Sequence, residues 1–389
     1  YDVPAGASFI DFDRDGLLDL WVTQNSASNV PQQDRLYKGD GKGGFVDVTV
    51  AQGLKTKAWS YSASGIDALN KGLAHSNAWS AAACDLNDDG NAELLAASYG
   101  RAPNHLWQSK GSSGAFGFLN QSVASGYAFD DNQDWSDNES ARCWCKLHPS
   151  DVDCAGVPAP KYITCKVDAD AFRWDHQYDR NPFRLGGNSG TTVCADLNND
   201  GKIDLVTSEI AHWDVGGSSD KAEILINSGE ADVHFTRPGI KESGLSRDHV
   251  NGWNEGIMTS AAFDFDNDGW LDVYLGNSDY PGNFGLLYHQ VSPGHFEAVP
   301  IADGIDQHRS LVSTFSRPSF GLEIHAQVLA QILDGRAAAQ DSPVREMAPV
   351  AGLALLGLLA GGVLAGRALL LALGGMSLGW LALVLAAQA

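Results

Sequence analysis

The sequence predicts an all-β fold made of repeated short-stranded units, followed by a C-terminal α-helical hairpin that crosses a membrane. An acidic nine-residue motif recurs four times, each time before a strand-like run, and the last 43 residues carry a single charge. The formal net charge is −22 over 389 residues. This charge argues against nucleic acid as a partner, because a phosphate binder needs a basic face. The segment from Ser310 onward is neutral, so residues 1–309 carry the whole charge and favour cations.

The acidic motif follows the template D-x-[DN]-x-D-G-x-x-[DE]. Its copies are DFDRDGLLD from Asp11, DLNDDGNAE from Asp85, DLNNDGKID from Asp196 and DFDNDGWLD from Asp264. The spacings are 74, 111 and 68 residues. Each copy leads into a run of β-forming residues, and further short strand-like runs ending in turn-prone residues follow. A period near 70 residues with about four short strands per unit predicts the blades of a β-propeller over residues 1–305.

The long spacing contains a segment rich in Trp, Asp and Cys, about residues 114–187, which we expect to be a loop insertion on one face of the propeller. No clear amphipathic helix is expected before about Gly321. Four cysteines of this segment are disulfide candidates and indicate an oxidising compartment. They are Cys143, Cys145, Cys154 and Cys165. Their spacing does not choose between the possible pairings.

A zinc site is the alternative for these cysteines, with Cys143, Cys145 and Cys154 as ligands together with His148. The remaining two cysteines, Cys84 and Cys194, occupy nearly equivalent positions just before two of the motifs. We expect them to be buried free thiols.

The crowded carboxylates of each motif are intelligible if a cation lies among them. Oxygens at positions 1, 3 and 5 converge, Gly at position 6 permits the turn, the carbonyl at position 7 adds a ligand and a carboxylate at position 9 closes the shell. Ligands that are all oxygen favour a hard ion, and the irregular geometry suits Ca²⁺. The predicted side-chain ligands are Asp11, Asp13, Asp15 and Asp19; Asp85, Asn87, Asp89 and Glu93; Asp196, Asn198, Asp200 and Asp204; Asp264, Asp266, Asp268 and Asp272. The predicted carbonyl ligands belong to Leu17, Asn91, Lys202 and Trp270.

These loops are not EF-hands, which need Glu at position 12 and flanking helices. The twelfth residues are Val22, Ala96, Thr207 and Tyr274. The remaining alternative is a set of solvated Asp and Asn turns without metal. Up to four calcium ions are therefore predicted, and the first and fourth loops, with four carboxylates each, are expected to bind most tightly.

The C-terminal part changes composition. Residues 306–346 are predicted to be a linker with an amphipathic helix, and residues 347–366 and 368–387 two transmembrane helices that turn at Arg367. Each is 20 residues long, enough to cross a hydrocarbon core about 30 Å thick. The alternative is a hydrophobic helix pair of a soluble domain.

With these motifs, the chain resembles the FG-GAP/VCBS repeat family, the calcium-binding blades of integrin α-subunits, and within it the cartilage-acidic-protein-like subset. The stretch Ser8–Leu54 carries this resemblance most clearly. It implies an extracytoplasmic β-propeller for binding or adhesion, with Ca²⁺ in the carboxylate loops. Such propellers usually close with about seven blades, whereas four motifs are present here, so either the propeller is incomplete in this chain or some of its blades carry no motif. The segment Ser319–Arg336 resembles the end of a second-type CHASE domain, an extracellular sensor module.

The predicted function is that of a membrane-tethered, extracellular or periplasmic calcium-binding propeller for protein interaction, adhesion or scaffolding, for example as an exposed subunit of a membrane complex. The alternative is the sensor part of a transmembrane signalling receptor. A hydrolase or lyase is disfavoured because the pair His212 and Asp214, beside Trp213, has no nucleophile in a recognisable context. Carbohydrate could stack on Trp79, Trp135, Trp144, Trp174 or Trp253. Because the chain begins at Tyr1 in mid-pattern, its start is expected to be processed or truncated.

Overall fold

The structure is a computed structural model that describes residues 3–26, 31–60, 62–111, 117–132, 134–166, 174–181, 188–211, 219–246, 255–277 and 285–299. All of these residues belong to one compact unit. Their regular secondary structure is mostly β-strand with few helices, as the sequence predicts.

Four antiparallel units follow one another along the chain, and each has four strands in sequential order. We call them blades 1 to 4. Blade 1 contains β1 (Val3–Ile10), β2 (Asp19–Asn25), β3 (Arg35–Gly39) and β4 (Phe45–Asp47). Blade 2 contains β7 (Ala78–Cys84), β8 (Glu93–Ser98), β9 (His105–Ser109) and β10 (Phe118–Asn120). Blade 3 contains β11 (Ser189–Ala195), β12 (Asp204–Ala211), β13 (Ile224–Asn227) and β14 (Phe235–Thr236). Blade 4 contains β15 (Glu255–Phe263), β16 (Asp272–Asn277), β17 (Leu286–Ser292) and β18 (His295–Ala298).

The remaining elements connect the blades. Two short parallel strands, β5 (Lys57–Ala58) and β6 (Ala74–His75), flank helix α1 (Ala63–Asn70) between blades 1 and 2. Helix α2 (Glu139–Leu147) lies in the Cys-rich segment, and helix α3 (Gly239–Glu242) precedes blade 4. Blades 3 and 4 are also joined by a short pairing of β12 with β15, at Ile210 with Gly256 and Ala211 with Glu255.

The first strand of every blade contains a register shift near its start, between Pro4 and Gly6 in β1, and at equivalent places in β7, β11 and β15. At two of these shifts a glycine lets the next blade approach. A Cβ on Gly6 would lie 2.6 Å from the backbone of Ala81, and one on Gly190 would lie 2.3 Å from the carbonyl of Met258. The first strands of neighbouring blades therefore pack backbone against backbone.

The core consists of three main clusters, one between each pair of consecutive blades. Side-chain alternation along a strand produces this arrangement, because successive residues point to opposite faces of the sheet. In β8, Leu94 packs in the cluster with blade 1 and Leu95 in the cluster with blade 3, and both are fully buried. In β12, Leu205 faces blade 2 and Val206 faces blade 4. Blades 2 and 3 are thus sandwiched, and their second strands are buried on both faces.

The same alternation corrects the prediction for Cys84 and Cys194, which form a disulfide and are not free thiols. Cys84 comes one residue before its acidic motif and Cys194 two residues before its own. This difference of one residue turns their side chains to opposite faces, so each points into the interface between blades 2 and 3. The bond links strands β7 and β11 across that interface.

The Cys-rich segment contains disulfides, as predicted, with the pairings Cys143–Cys165 and Cys145–Cys154. Since these bonds use all three sulfurs of the alternative zinc site with His148, that alternative is wrong. The insertion is shorter than the predicted segment 114–187, because strand β10 lies inside that segment and completes blade 2. Helices α1 and α2 were not expected. The side chains of Ser62 and Asn138 cap their first turns by accepting backbone N–H bonds.

The predicted linker and transmembrane helices of residues 306–387 lie outside the described residues. Within the described ranges, no helix is long and apolar enough to cross a membrane.

Candidate metal centre

Each acidic motif forms the loop between the first and second strands of its blade, so all four loops begin where β1, β7, β11 and β15 end. Two positions of each loop adopt left-handed backbone conformations. Gly at position 6 has φ between 80° and 92°. Position 4 has φ between 54° and 62°, in residues that the template leaves free. They are Arg14, Asp88, Asn199 and Asn267. The repeated φ values show that the four loops share one backbone path.

The position 1 carboxylate organises this path through two hydrogen bonds. In the first loop, Asp11 accepts the N–H of Asp15 at 3.0 Å and that of Gly16 at 2.9 Å. The same two bonds recur in the other three loops at distances from 2.7 to 3.1 Å. Their acceptors are Asp85, Asp196 and Asp264.

The position 5 carboxylate accepts the N–H of position 7 in every loop. The donors are Leu17, Asn91, Lys202 and Trp270, at 2.9, 2.7, 3.0 and 2.8 Å. These are the four residues whose carbonyls are predicted as ligands. Their place as ligands stays a prediction, while the bonds to their N–H groups show that position 5 holds the second half of the turn.

The position 9 carboxylate is fully buried in all four loops and ties the loop to the third strand of its blade. In blade 1, Asp19 accepts the N–H of Phe12 at 3.0 Å and the N–H of Gly39 at 2.8 Å. The equivalent acceptors are Glu93, Asp204 and Asp272, which receive N–H bonds from Ser109, Asn227 and Gln290. We call this carboxylate the brace. The sequence predicted it as a ligand but not as the anchor of the third strand.

Burial makes the charged form of the brace costly. It raises the pKa of Glu93 to about 8 and that of Asp204 to about 6. The neighbouring carboxylates of each loop also raise these pKa values, while the backbone N–H bonds lower them. Desolvation also raises the pKa of Asp19. A divalent cation beside these carboxylates would favour their ionised forms.

The position 3 side chain provides the clearest test of whether a cation fits. Asp13 Oδ1 and Asn87 Oδ1 are buried and accept no hydrogen bond within the part of the chain that the structure describes. A buried polar oxygen without a partner costs about 1–3 kcal/mol. Both atoms belong to position 3, a predicted ligand position, and a cation bound beside them would satisfy them.

The carboxylates also converge. One oxygen each of Asp11, Asp13 and Asp15 lie within 4.8 Å of one another. The same holds for Asp264, Asp266 and Asp272 in the fourth loop. Two oxygens bound to one calcium ion at 2.3–2.6 Å are at most about 5 Å apart, so these groups fit the ion. In the second and third loops position 3 is Asn, and the shared hydrogen bonds show that these loops have the same backbone path as the other two.

Two basic side chains that the motif did not predict approach the loops from the third strand. Lys38 Nζ pairs with Asp13 and Asp15 in blade 1. His289 Nδ1 lies 3.0 Å from Asp272 and 3.6 Å from Asp266 in blade 4. Both residues directly precede the backbone donor to the brace, so the strand register would have located them once the brace was known.

A further group of potential ligands, Asp151, Asp153 and His176, lies in the Cys-rich segment. Trp174 Nε1 donates to His176 Nδ1 at 3.0 Å, so the neutral ring carries its proton on Nε2. That nitrogen is the one facing Asp153, at 3.4 Å, and Asp153 also pairs with Arg180. A nitrogen that keeps its proton is not a metal ligand, and the charge of Asp153 is already paired with Arg180.

The aromatic side chains of that segment pack against each other. Trp144 stacks between His148 and His176, with ring centroids 4.3 and 3.7 Å away. Trp135 packs near Trp174, and Trp79 is 38% exposed beside Tyr99. Trp253 and the triplet His212, Trp213 and Asp214 lie outside the described residues.

The four four-stranded blades and their acidic loops define a β-propeller-like repeat domain, consistent with an incomplete propeller. Residues 196–275, which include the whole of the third and fourth loops, match the FG-GAP-like repeat family. Such a repeat suggests a domain for protein interaction. No curated protein matches the chain. No comparison supports the resemblance of Ser319–Arg336 to a CHASE domain, and that segment lies outside the described residues.

Among solved structures, the chain is similar to an Agrocybe aegerita lectin described as specifically recognising non-reducing terminal N-acetylglucosamine. The sequence identity is 13%, the TM-score is 0.33, and the alignment covers 75% of this chain. The chain spans about half the length of that lectin, with 50% covered. A likeness at this TM-score carries no weight for fold or ligand.

Proposed function

We propose that the chain is a non-catalytic, extracytoplasmic binding module whose four acidic loops each hold one calcium ion. The observation that carries the proposal is the repeated loop geometry, with unpartnered buried oxygens of Asp13 and Asn87 at position 3. The carboxylates at positions 1, 5 and 9 accept the same backbone hydrogen bonds in blades that otherwise differ in sequence. Four such loops in one domain favour a metal site over solvated turns.

Calcium in this proposal stabilises the blades and does not signal. Each ion would join the first strand, the loop and, through the brace, the third strand. It would also offset the mutual repulsion of the carboxylates, which make up much of the net charge of −22. The module would then present a stable surface to a protein partner, in adhesion or as a scaffold.

The extracytoplasmic location is supported by the cysteines. All six are paired in three disulfides, and none is free. Disulfides persist in oxidising compartments, where calcium is also abundant enough for weak sites. The tether in the proposal is the apolar segment 347–389, which lies outside the described residues. The alternative of a receptor sensor has no observation in its favour among the described residues.

The test is calcium binding by the full chain after chelator treatment. Isothermal titration calorimetry should count the ions, with magnesium as the comparison ion. Extracellular calcium modules bind with dissociation constants of about 0.1–1 mM. A site filled at about ten times its dissociation constant adds about 1.4 kcal/mol to the free energy of unfolding, so the melting temperature should rise with calcium.

The matched variants are Asp266→Ala, which removes a position 3 ligand, and Asp67→Ala, which removes an exposed carboxylate of α1. Asp266→Ala should remove one ion from the count and reduce the thermal shift, whereas Asp67→Ala should change neither. Absence of binding heat together with an unchanged melting temperature in calcium would overturn the proposal.

A further inference from the structure

The residue that precedes the backbone donor to the brace differs between the four blades. The donors are Gly39, Ser109, Asn227 and Gln290. The residues directly before them are Lys38, Gln108, Ile226 and His289. Because the donor is fixed to the loop by its hydrogen bond, the preceding residue lies beside the loop in every blade. Its chemistry can therefore act on the bound ion.

Lys38 occupies the first loop directly. Its Nζ forms ion pairs with the position 3 carboxylate of Asp13 and the position 5 carboxylate of Asp15, the latter at 2.7 Å. The ammonium group also lies 6.0 Å from the centre of the Phe12 ring. Two of the four predicted side-chain ligands in this loop thus already share one ammonium group that belongs to the chain.

The second and third loops have no such charge at this position. Gln108 is engaged with blade 3, where its amide donates to the carbonyl of Ala231 at 2.7 Å and accepts the N–H of Val233 at 3.3 Å. Ile226 carries no charge and packs against the cluster between blades 3 and 4. These two loops have three carboxylates and one Asn. In the third loop Lys202 Nζ lies 3.7 Å from one carboxylate, that of Asp200, and donates its hydrogen bond to the carbonyl of Ser228 instead.

We propose that the residue before the brace donor sets the calcium affinity of each loop, and that Lys38 makes the first loop the weakest site although it has four carboxylates. To bind there, the ion must displace the ammonium group from Asp13 and Asp15 or bind beside it against charge repulsion. The inference rests on the proposed function, namely that the loops bind calcium. The number of carboxylates predicts that the first loop is among the tightest calcium sites, whereas this inference makes it the weakest.

The size of the effect follows from the two ion pairs. Two partly exposed ion pairs to one ammonium group together correspond to roughly a factor of ten in affinity. Replacing Lys38 by methionine, which retains the apolar stem, should strengthen the weakest site by about tenfold. The matched control is Lys71→Met, which removes an exposed ammonium paired only with Asp67 on α1.

The experiment is calorimetric calcium titration of the full chain, the K38M variant and the K71M variant at one pH and ionic strength. Melting temperatures in chelator and in calcium give a second readout. In chelator, K38M should melt below the unaltered chain, because Asp13 and Asp15 then lack their ammonium partner. In calcium the difference should shrink or reverse, a pattern that a merely structural lysine would not produce.

The site is assigned by adding Asp13→Asn to K38M, which should abolish the gain in affinity. If the unaltered chain and K38M bind calcium with the same affinities, the inference about Lys38 is wrong while the calcium-binding proposal stands. If neither the unaltered chain nor K38M binds calcium, the proposed function itself fails. An equal gain in K71M would show that general charge reduction, and not the position of Lys38, is responsible.

Discussion

Trp21 Nε1 in blade 1 donates a 3.0 Å hydrogen bond to the carbonyl of Leu95 in blade 2. The indole is fully buried in the cluster between the two blades, so one side chain supplies both apolar contact and a directed bond across the interface. Replacement by phenylalanine removes the donor, leaves the carbonyl of Leu95 without it and opens a small cavity.

Trp21→Phe should therefore lower the free energy of unfolding by about 2–4 kcal/mol. Chemical denaturation followed by circular dichroism measures this change. Trp79→Phe is the control, because Trp79 is 38% exposed and its replacement should cost less than about 1 kcal/mol. Equal losses in the two variants would show that the Trp21 bond contributes nothing specific.

The brace gives the second prediction. Glu93 accepts the N–H of Leu86 at 2.7 Å with one oxygen and the N–H of Ser109 at 3.3 Å with the other. Glu93→Gln replaces one acceptor with an NH₂ group that faces a backbone donor. The loss in chelator should be about 1–3 kcal/mol, measured by urea denaturation. Asp67→Asn is the exposed control, and a brace variant as stable as this control would contradict the anchoring role.

The third prediction concerns the disulfides. Cys84–Cys194 spans 110 residues of sequence and crosses an interface between blades, while Cys145–Cys154 spans 9 residues inside one segment. The entropy of the unfolded chain restricted by a crosslink grows with loop length. Replacing Cys84 and Cys194 with alanine should cost about 2 kcal/mol more than replacing Cys145 and Cys154. Equal melting temperatures for the two double variants would argue against this difference.

Asp34 gives a pH-dependent prediction. Its carboxyl is fully buried and accepts the N–H of Gln24 at 2.8 Å, and burial raises its pKa to about 8. In the unfolded chain the pKa is about 3.9. Between these values the folded chain keeps the proton and the unfolded chain releases it. The stabilising contribution is therefore fully present below about pH 4 and is lost as the pH rises towards 8, by at most about 1.4 kcal/mol per pH unit.

Asp34→Asn removes this titration and keeps the acceptor. Blade 2 already uses the amide, because Asn104 accepts the N–H of Ser98 in the equivalent place. The variant should match the unaltered chain near pH 4 and exceed it in stability at pH 8. Unfolding free energies measured across this range provide the check. A constant difference between the two chains from pH 5 to 8 would contradict a buried, protonated Asp34.

The acidic motif predicted the blades well because its chemistry and its place are both local. Four short loops fix their own backbone, and the strands that follow them, such as β2 and β16, begin at the position 9 residue. The strand order was equally accessible, since sequential hairpins need no distant information. Local spacing was thus sufficient for the loops, the second strands and the period of the repeat.

The features missed from the sequence depend mainly on which face of its strand a side chain occupies after folding. Cys84 and Cys194 appeared equivalent, and only the one-residue difference relative to their motifs brings them together. Lys38 and His289 lie far in sequence from the loops they approach. Helix α1 is only eight residues long and shows a short apolar pattern that does not stand out. Distances between strands, rather than residue types, decide these cases.

The opposite orientations of Leu94 and Leu95 restrict how such a chain can change in length. A one-residue insertion or deletion within β8 would exchange the neighbours of every later side chain in that strand, and two interfaces would lose their fit together. A segment added between blades disturbs no such pairing. Insertions are therefore tolerated in the connections between blades, and the disulfide-bonded segment between β10 and β11 lies in one of these connections.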